Sequence, residues 1–224
     1  MFLTVLQLIT RAWQYRLLSS LLLVVAILMA NAQWHSNPYT HTFVEGMSTL
    51  LALVIAVISM TRYYSQKDIA YLLLGMAFSG TFLLDGYHTL VTSVYFKSFM
   101  PSALPTLIPW SWLASRQFLA LYLFLGWLLW LYRYTPNQGI KRFEQSLFAL
   151  TAIAIIVFFL IFALVPLPPA YNTWLGIHRP SELIPLVFFA IALVGYLFKG
   201  KWRTDAFEHW LVMSLIINVL VQLC

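Results

Sequence analysis

The feature that most limits the fold is a set of seven separate apolar runs, at roughly 15–33, 42–62, 69–95, 107–132, 144–166, 181–199 and 206–224. Each is long enough for a helix to cross about 30 Å of hydrocarbon at about 1.5 Å per residue. Backbone N–H and C=O groups find no water there, so each run must satisfy them internally, and helices do so. Only 9% of the residues are charged and 62% are hydrophobic, against about a quarter charged in soluble domains. The connections are short and polar, with no separable soluble domain, low-complexity tract or internal repeat. The chain reads as an all-α integral membrane protein: a bundle of about seven transmembrane helices forming a single domain over residues 1–224.

Charge orders these helices. Under the seven-helix count Arg11, Arg16, Arg62, Lys67, Arg133, Lys141, Arg142, Lys199, Lys201 and Arg203 fall on one side. Lys97 and Arg179 fall on the other, and Arg116 lies inside a span. Basic loops stay in the cytoplasm, so the N-terminus is expected there. The net charge of +6 follows from this topology and calls for no nucleic-acid partner. Residues 1–16 read as an interfacial helix ahead of the first span. Ala30-Asn31-Ala32 has the form of a signal-peptidase site, but so long a lead favours a retained transmembrane helix. One cysteine, Cys224, excludes an internal disulfide framework or a paired-cysteine metal knuckle. Seven helices put Cys224 on the outer side. The abrupt apolar end reads either as a terminus on the outer side or, the preferred reading, as a fragment whose next, eighth helix returns to the cytoplasm.

Ionisable residues inside a bilayer are rare and face a bundle interior or cavity. Counting along each helix places His41 at the outer mouth of the second span and Glu45 one turn deeper, on the same face. Asp85 and His88 share a face near the outer end of the third span. Arg116 lies about two turns into the fourth, within "PWSWLASR". His178 stands at the mouth of the sixth, with Glu182 just inside. These seven residues share an outer-leaflet depth, which predicts one polar cavity open to the outside.

Plainer roles compete at each position. His41 and Glu45 can reach headgroups. Asp85 can pair with Arg116 across two helices, leaving His88 as the more exposed member, with Gly86 giving room for close approach. "HRPSE" has the form of a helix start. Trp110, Trp112, Tyr171 and Trp174 suit an interfacial belt. His209, beside Asp205 and Glu208, reads as a solvated inner boundary. As a site, His41, Glu45, Asp85, His88 and His178 are donors that a divalent transition metal such as zinc, copper or iron accepts. No strict HxxH, HxxxH or HExxH pair occurs, however. Alternatively, Arg116 and the histidines hold an anionic or quinone-like ligand lined by Trp110 and Trp112. A histidine-rich outer cavity also suits a reporter of external pH.

"HTFVEGMSTLLALVIAV", "GMAFSGTFLLDGYHTL", "WSWLASRQF" and "GIHRPSELIP" resemble, in order and spacing, the MASE-type membrane-associated sensor domains of bacteria. The resemblance covers roughly residues 20–220, and His41, Glu45, Asp85, His88 and Arg116 are the matching positions. It implies a signal-sensing input module in the bacterial inner membrane, a homodimer, and a cytoplasmic output domain of the diguanylate cyclase or histidine kinase kind. It implies no catalysis by the domain itself. The competing class is a zinc-dependent seven-helix hydrolase of lipid amides, with His41, His88 and His178 as ligands and Asp85 or Glu45 as base. Such hydrolases carry a paired-histidine motif in the last helix, where this chain has only His209.

Overall fold

The computed structural model describes residues 37–132, 140–170 and 180–223, with Trp13, Leu17, Ser19, Ser20, Leu21, Leu23, Val24 and Ile27 of the N-terminal segment. Six helices among the described residues are long and apolar enough to cross a membrane. They are α1 (Pro38–Gln66), α2 (Ile69–Thr92), α3 (Leu104–Leu131), α4 (Ile140–Leu164), α5 (Leu183–Lys199) and α6 (Ala206–Leu223). No strand occurs among the described residues. The six match the last six expected spans to within about a turn at either end. The first expected span, 15–33, falls largely outside the described residues, and those of its residues that are described are helical.

Local chemistry sets the ends of these helices. Asn37 caps α1 by accepting from the Tyr39 N–H at 3.1 Å, with Pro38 in the first turn, where its missing N–H is harmless. At the far end Lys67 adopts a left-handed conformation, φ 57°, and its N–H closes on the Tyr63 carbonyl at 2.7 Å. Asp68 at once caps α2 through the Ala70 N–H at 2.9 Å, so two residues reverse the chain. Gly200, φ 75°, ends α5 in the same left-handed way. Asp205 then accepts from the Phe207 N–H at 3.0 Å and starts α6.

Consecutive helices alternate in direction, giving the bundle an Asn37 end and a Lys67 end. α2 and α3 lie at its centre: α1 and α3 flank α2, α5 packs on α3, and α6 on α5. Close approach depends on two glycines. A Cβ at Gly80 of α2 would strike the Phe118 ring of α3, and one at Gly195 of α5 would strike the Trp127 indole of α3. Tyr87 of α2 stacks on Phe162 of α4 with centroids 5.3 Å apart. The outward faces of α1 (Val44, Leu51, Val54, Ile58) and α4 (Leu150, Ile153, Ile156, Val157) stay apolar and exposed, as lipid contact requires.

Candidate functional site

At the Asn37 end, one carboxylate gathers the polar side chains of two helices. Glu45 Oε1 lies 3.0 Å from His41 Nε2, one turn earlier on α1, and 3.0 Å from His88 Nε2 on α2. Its other oxygen accepts from the Thr92 hydroxyl at 2.6 Å. His88 Nδ1 meets the Ser111 hydroxyl of α3 at 2.8 Å. Four side chains from α1 and α2 and one from α3 thus form a continuous hydrogen-bonded chain. A second layer lies one turn deeper, where Asp85 of α2 accepts from Ser115 of α3. The helices run antiparallel, so Asp85 then His88 toward the Asn37 end meet Ser115 then Ser111. The result is a two-rung ladder between α2 and α3.

Of the residues expected to share a site, the structure brings together His41, Glu45 and His88, with Asp85 on the adjoining rung. Arg116 does not join them. Successive helical residues point about 100° apart, so with Ser115 turned toward α2, Arg116 turns away. Its guanidinium carbon sits 5.5 Å from the Trp112 ring centroid, and its Nε is buried without a hydrogen-bond partner. The expected Asp85–Arg116 ion pair is therefore replaced by Asp85–Ser115 and Arg116–Trp112 contacts. The order of exposure is also reversed: His88 is 5% exposed, and Asp85 is only partly buried. Gly86 is not needed for close approach, since a Cβ there would meet only the Thr49 methyl at 3.6 Å. Trp110 donates its indole N–H to the Pro168 carbonyl at 2.8 Å, tying α3 to the segment after α4. Glu182 lies in the short 3-10 turn before α5, while His178, Arg179, Tyr171 and Trp174 lie outside the described residues.

Among the described residues, no group of three or more His, Cys, Asp and Glu is arranged to hold a metal ion. Both ring nitrogens of His88 are engaged, and Asp85 is turned to Ser115. Of the five expected ligands, His41, Glu45 and His88 converge, Asp85 does not, and His178 is not described.

Sequence reasoning missed Thr92, Ser111 and Ser115. The signal was present in the spacing: serines four apart on α3 oppose Asp85 and His88 on α2. It also misread the Lys67 end. Glu208 is not part of a solvated boundary; it is 5% exposed and ion-paired to Lys199. The tight Gly200 turn folds the last turn of α5 onto the first turn of α6 and encloses the pair. His209 beside it meets the Ser19 hydroxyl at 3.1 Å. Glu144 of α4 accepts from both Tyr63 and Tyr64 of α1 at 3.0 Å. Two carboxylates beyond Glu45, Asp85 and Glu182 therefore lie in helices of spanning length.

No curated protein and no solved structure matches the chain. A family model, MASE3, described as a membrane-associated sensor domain, matches residues 32–224 and so takes in α1 to α6. The domain it describes senses and does not catalyse, which sets the hydrolase reading aside. With most of its length matched, the chain belongs to the MASE3 family of membrane-associated sensor domains.

Proposed function

We propose that this sensor domain responds through the His41–Glu45–His88 cluster, reached from the outer face of the bacterial inner membrane. Its N-terminus lies in the cytoplasm, and it works as a homodimer that passes the signal to a cytoplasmic output domain or partner. The positive-inside bias of the loops supports this orientation. One observation carries the choice of site: two imidazoles, one on α1 and one on α2, share the same carboxylate oxygen at 3.0 Å each. Side-chain exposure falls along that path, from 51% at His41 through 18% at Glu45 to 7% at His88. A change at the rim is thereby handed on to a buried group.

The hydrogen inventory favours protons as the currency. The Ser111 hydroxyl lies 2.8 Å from His88 Nδ1 and 3.0 Å from the Ile108 carbonyl, and it has one hydrogen to give. When that hydrogen goes to Nδ1, His88 is neutral and its Nε2–H donates to Glu45. When it goes to Ile108, Ser111 accepts from Nδ1–H and His88 carries both protons. Uptake of one proton at Nδ1 from the outer rim, accompanied by rotation of the Ser111 hydroxyl toward Ile108, converts the first arrangement into the second. Histidine is the side chain suited to change charge near neutrality. The other polar groups facing the cluster are Thr92 of α2 and, one rung deeper, Asp85 with Ser115. Protonation of His88 strengthens the α1–α2 link, and protonation of His41 draws Glu45 back toward α1. A signal that favours one state shifts the packing of α1 against α2.

The test is a distance measurement between spin labels on the exposed positions 44 of α1 and 90 of α2, in nanodiscs, from about pH 8 to about pH 5. The distance distribution is expected to shift with pH, and the shift to vanish in Glu45→Gln and His88→Gln. Identical distributions across that range in the unmodified protein overturn the proton reading. Stoichiometric zinc, copper or iron in protein purified without chelator, lost in His88→Ala, would instead assign the same three side chains to a metal.

A further inference from the structure

At the Lys67 end, a buried carboxylate is only half satisfied. Glu208 Oε1 is ion-paired with Lys199 Nζ, while Oε2 is buried with no hydrogen-bond partner. An ionised carboxylate offers about four acceptor positions, and an unmet one away from water is costly. Glu208 lines a cavity of about 560 Å³ between the α1–α2 turn, the α5–α6 turn and the end of α3. That volume lies within the range of small-molecule sites, about 300–1,000 Å³. The charged lining carries both signs: Lys67 and Lys201 beside Asp68 and Asp205. The two aspartates already serve as helix caps, and Lys199 is committed to Glu208, so the free oxygen of Glu208 is the unmet acceptor. Leu73, Leu123 and Leu211 supply an apolar wall.

We propose that this cavity binds a primary ammonium carried beside an anionic group, the chemistry of phosphoethanolamine. The ammonium donates to Glu208 Oε2, the anion lies toward Lys67 and Lys201, and the carbon portion rests on the leucines. The donor requirement sets the class. A primary ammonium has N–H groups to give and a quaternary choline has none, while an anion without an amine brings like charge to Glu208. The molecule has two sources, the headgroup of a membrane phospholipid or a free amino-phosphate, and both present the same group. This site is separate from the Glu45 cluster: about 33 Å of α1 lies between residues 45 and 67. It therefore stands or falls independently of the sensing mechanism.

The experiment is native mass spectrometry of the full chain, equilibrated with equimolar phosphatidylethanolamine, phosphatidylcholine and phosphatidylglycerol of identical acyl chains. Phosphatidylethanolamine is expected to be retained about tenfold over either competitor, the scale of one charge-assisted hydrogen bond. Glu208→Gln is expected to bring that ratio near one. Because this change leaves Lys199 without its partner, Leu123→Trp, which fills the cavity from its apolar wall, provides a second variant with the same expected loss. Displacement of the lipid by soluble phosphoethanolamine at comparable concentration assigns the site to a free ligand; resistance to it assigns the site to the lipid. Equal retention of the three lipids by the unmodified protein, or a preference that survives in a folded variant of either kind, overturns the proposal.

Discussion

The two ends of the bundle bury a carboxylate in opposite ways. Glu45 is surrounded by imidazoles and hydroxyls, groups that exchange roles as donor and acceptor without leaving a bare charge. Glu208 faces a lysine ammonium, which only donates, and its second oxygen has no partner. The first arrangement tolerates a change of protonation; the second requires both charges to remain. One end therefore suits a responsive element and the other a fixed clamp joining α5 to α6.

Removing a partner at each end exposes the difference. Lys199→Met strands a buried carboxylate and is expected to destabilise the protein by about 3–5 kcal/mol, the range for a broken buried pair. Lys199→Met with Glu208→Gln should recover most of that loss, since no bare charge remains. Thermal unfolding in detergent measures both, and a double variant no more stable than the single would show that the clamp is not the cause. Glu45→Gln should cost less, about 1–3 kcal/mol, because its neighbours are neutral or titratable and glutamine still accepts from one of them. If Glu45→Gln proves as damaging as Lys199→Met, the two ends do not differ as described.

Ser111→Ala tests the responsive end more finely. It removes the hydroxyl that accommodates both forms of His88, at a cost of about 1 kcal/mol. Nitrogen NMR of the imidazole is the decisive measurement. With Ser111 present, lowering the pH should carry His88 from the neutral to the doubly protonated ring form, with its contact to Glu45 strengthened. In Ser111→Ala that conversion should move or disappear. An unchanged titration would remove the hydroxyl from the mechanism.

The spans were legible because apolar length alone decides them, whatever the packing. The clustering of His41, Glu45 and His88 was legible because expensive residues are rare in hydrocarbon and helical rise gives their depth. Ser111, Ser115 and Thr92 were silent for the opposite reason. Such hydroxyls bond carbonyls of the preceding turn, as Thr92 does with His88 at 3.1 Å, so they cost little and draw no notice in an apolar run. Arg116 was placed at the right depth but the wrong azimuth, because depth is additive along a helix and its rotation is set by packing. The Lys199–Glu208 pair was hidden by the turn between them. Only the left-handed Gly200 brings the two charges together, and hydropathy takes no account of how a turn redirects its flanking helices.

Trp110 supplies the smallest effect and the sharpest distinction between a binding residue and a structural one. Its indole N–H is held by the Pro168 carbonyl at 2.8 Å, and Ser102 of the loop before α3 donates to the Phe162 carbonyl nearby. Both contacts fasten the exit of α4 to the entrance of α3, beside the cluster but not within it. Trp110→Phe keeps the ring and removes one partly exposed hydrogen bond, so global stability should fall by only about 0.5 kcal/mol. The larger change should be local. Amide exchange in residues 165–170 should accelerate severalfold while α2 and the core of α3 stay protected. The pH-dependent distance between α1 and α2 should be unaltered, because nothing in the Glu45–His88–Ser111 path passes through this indole. Loss of that response in Trp110→Phe would instead make the α3–α4 latch part of the sensing machinery, extending the responsive region from three helices to four.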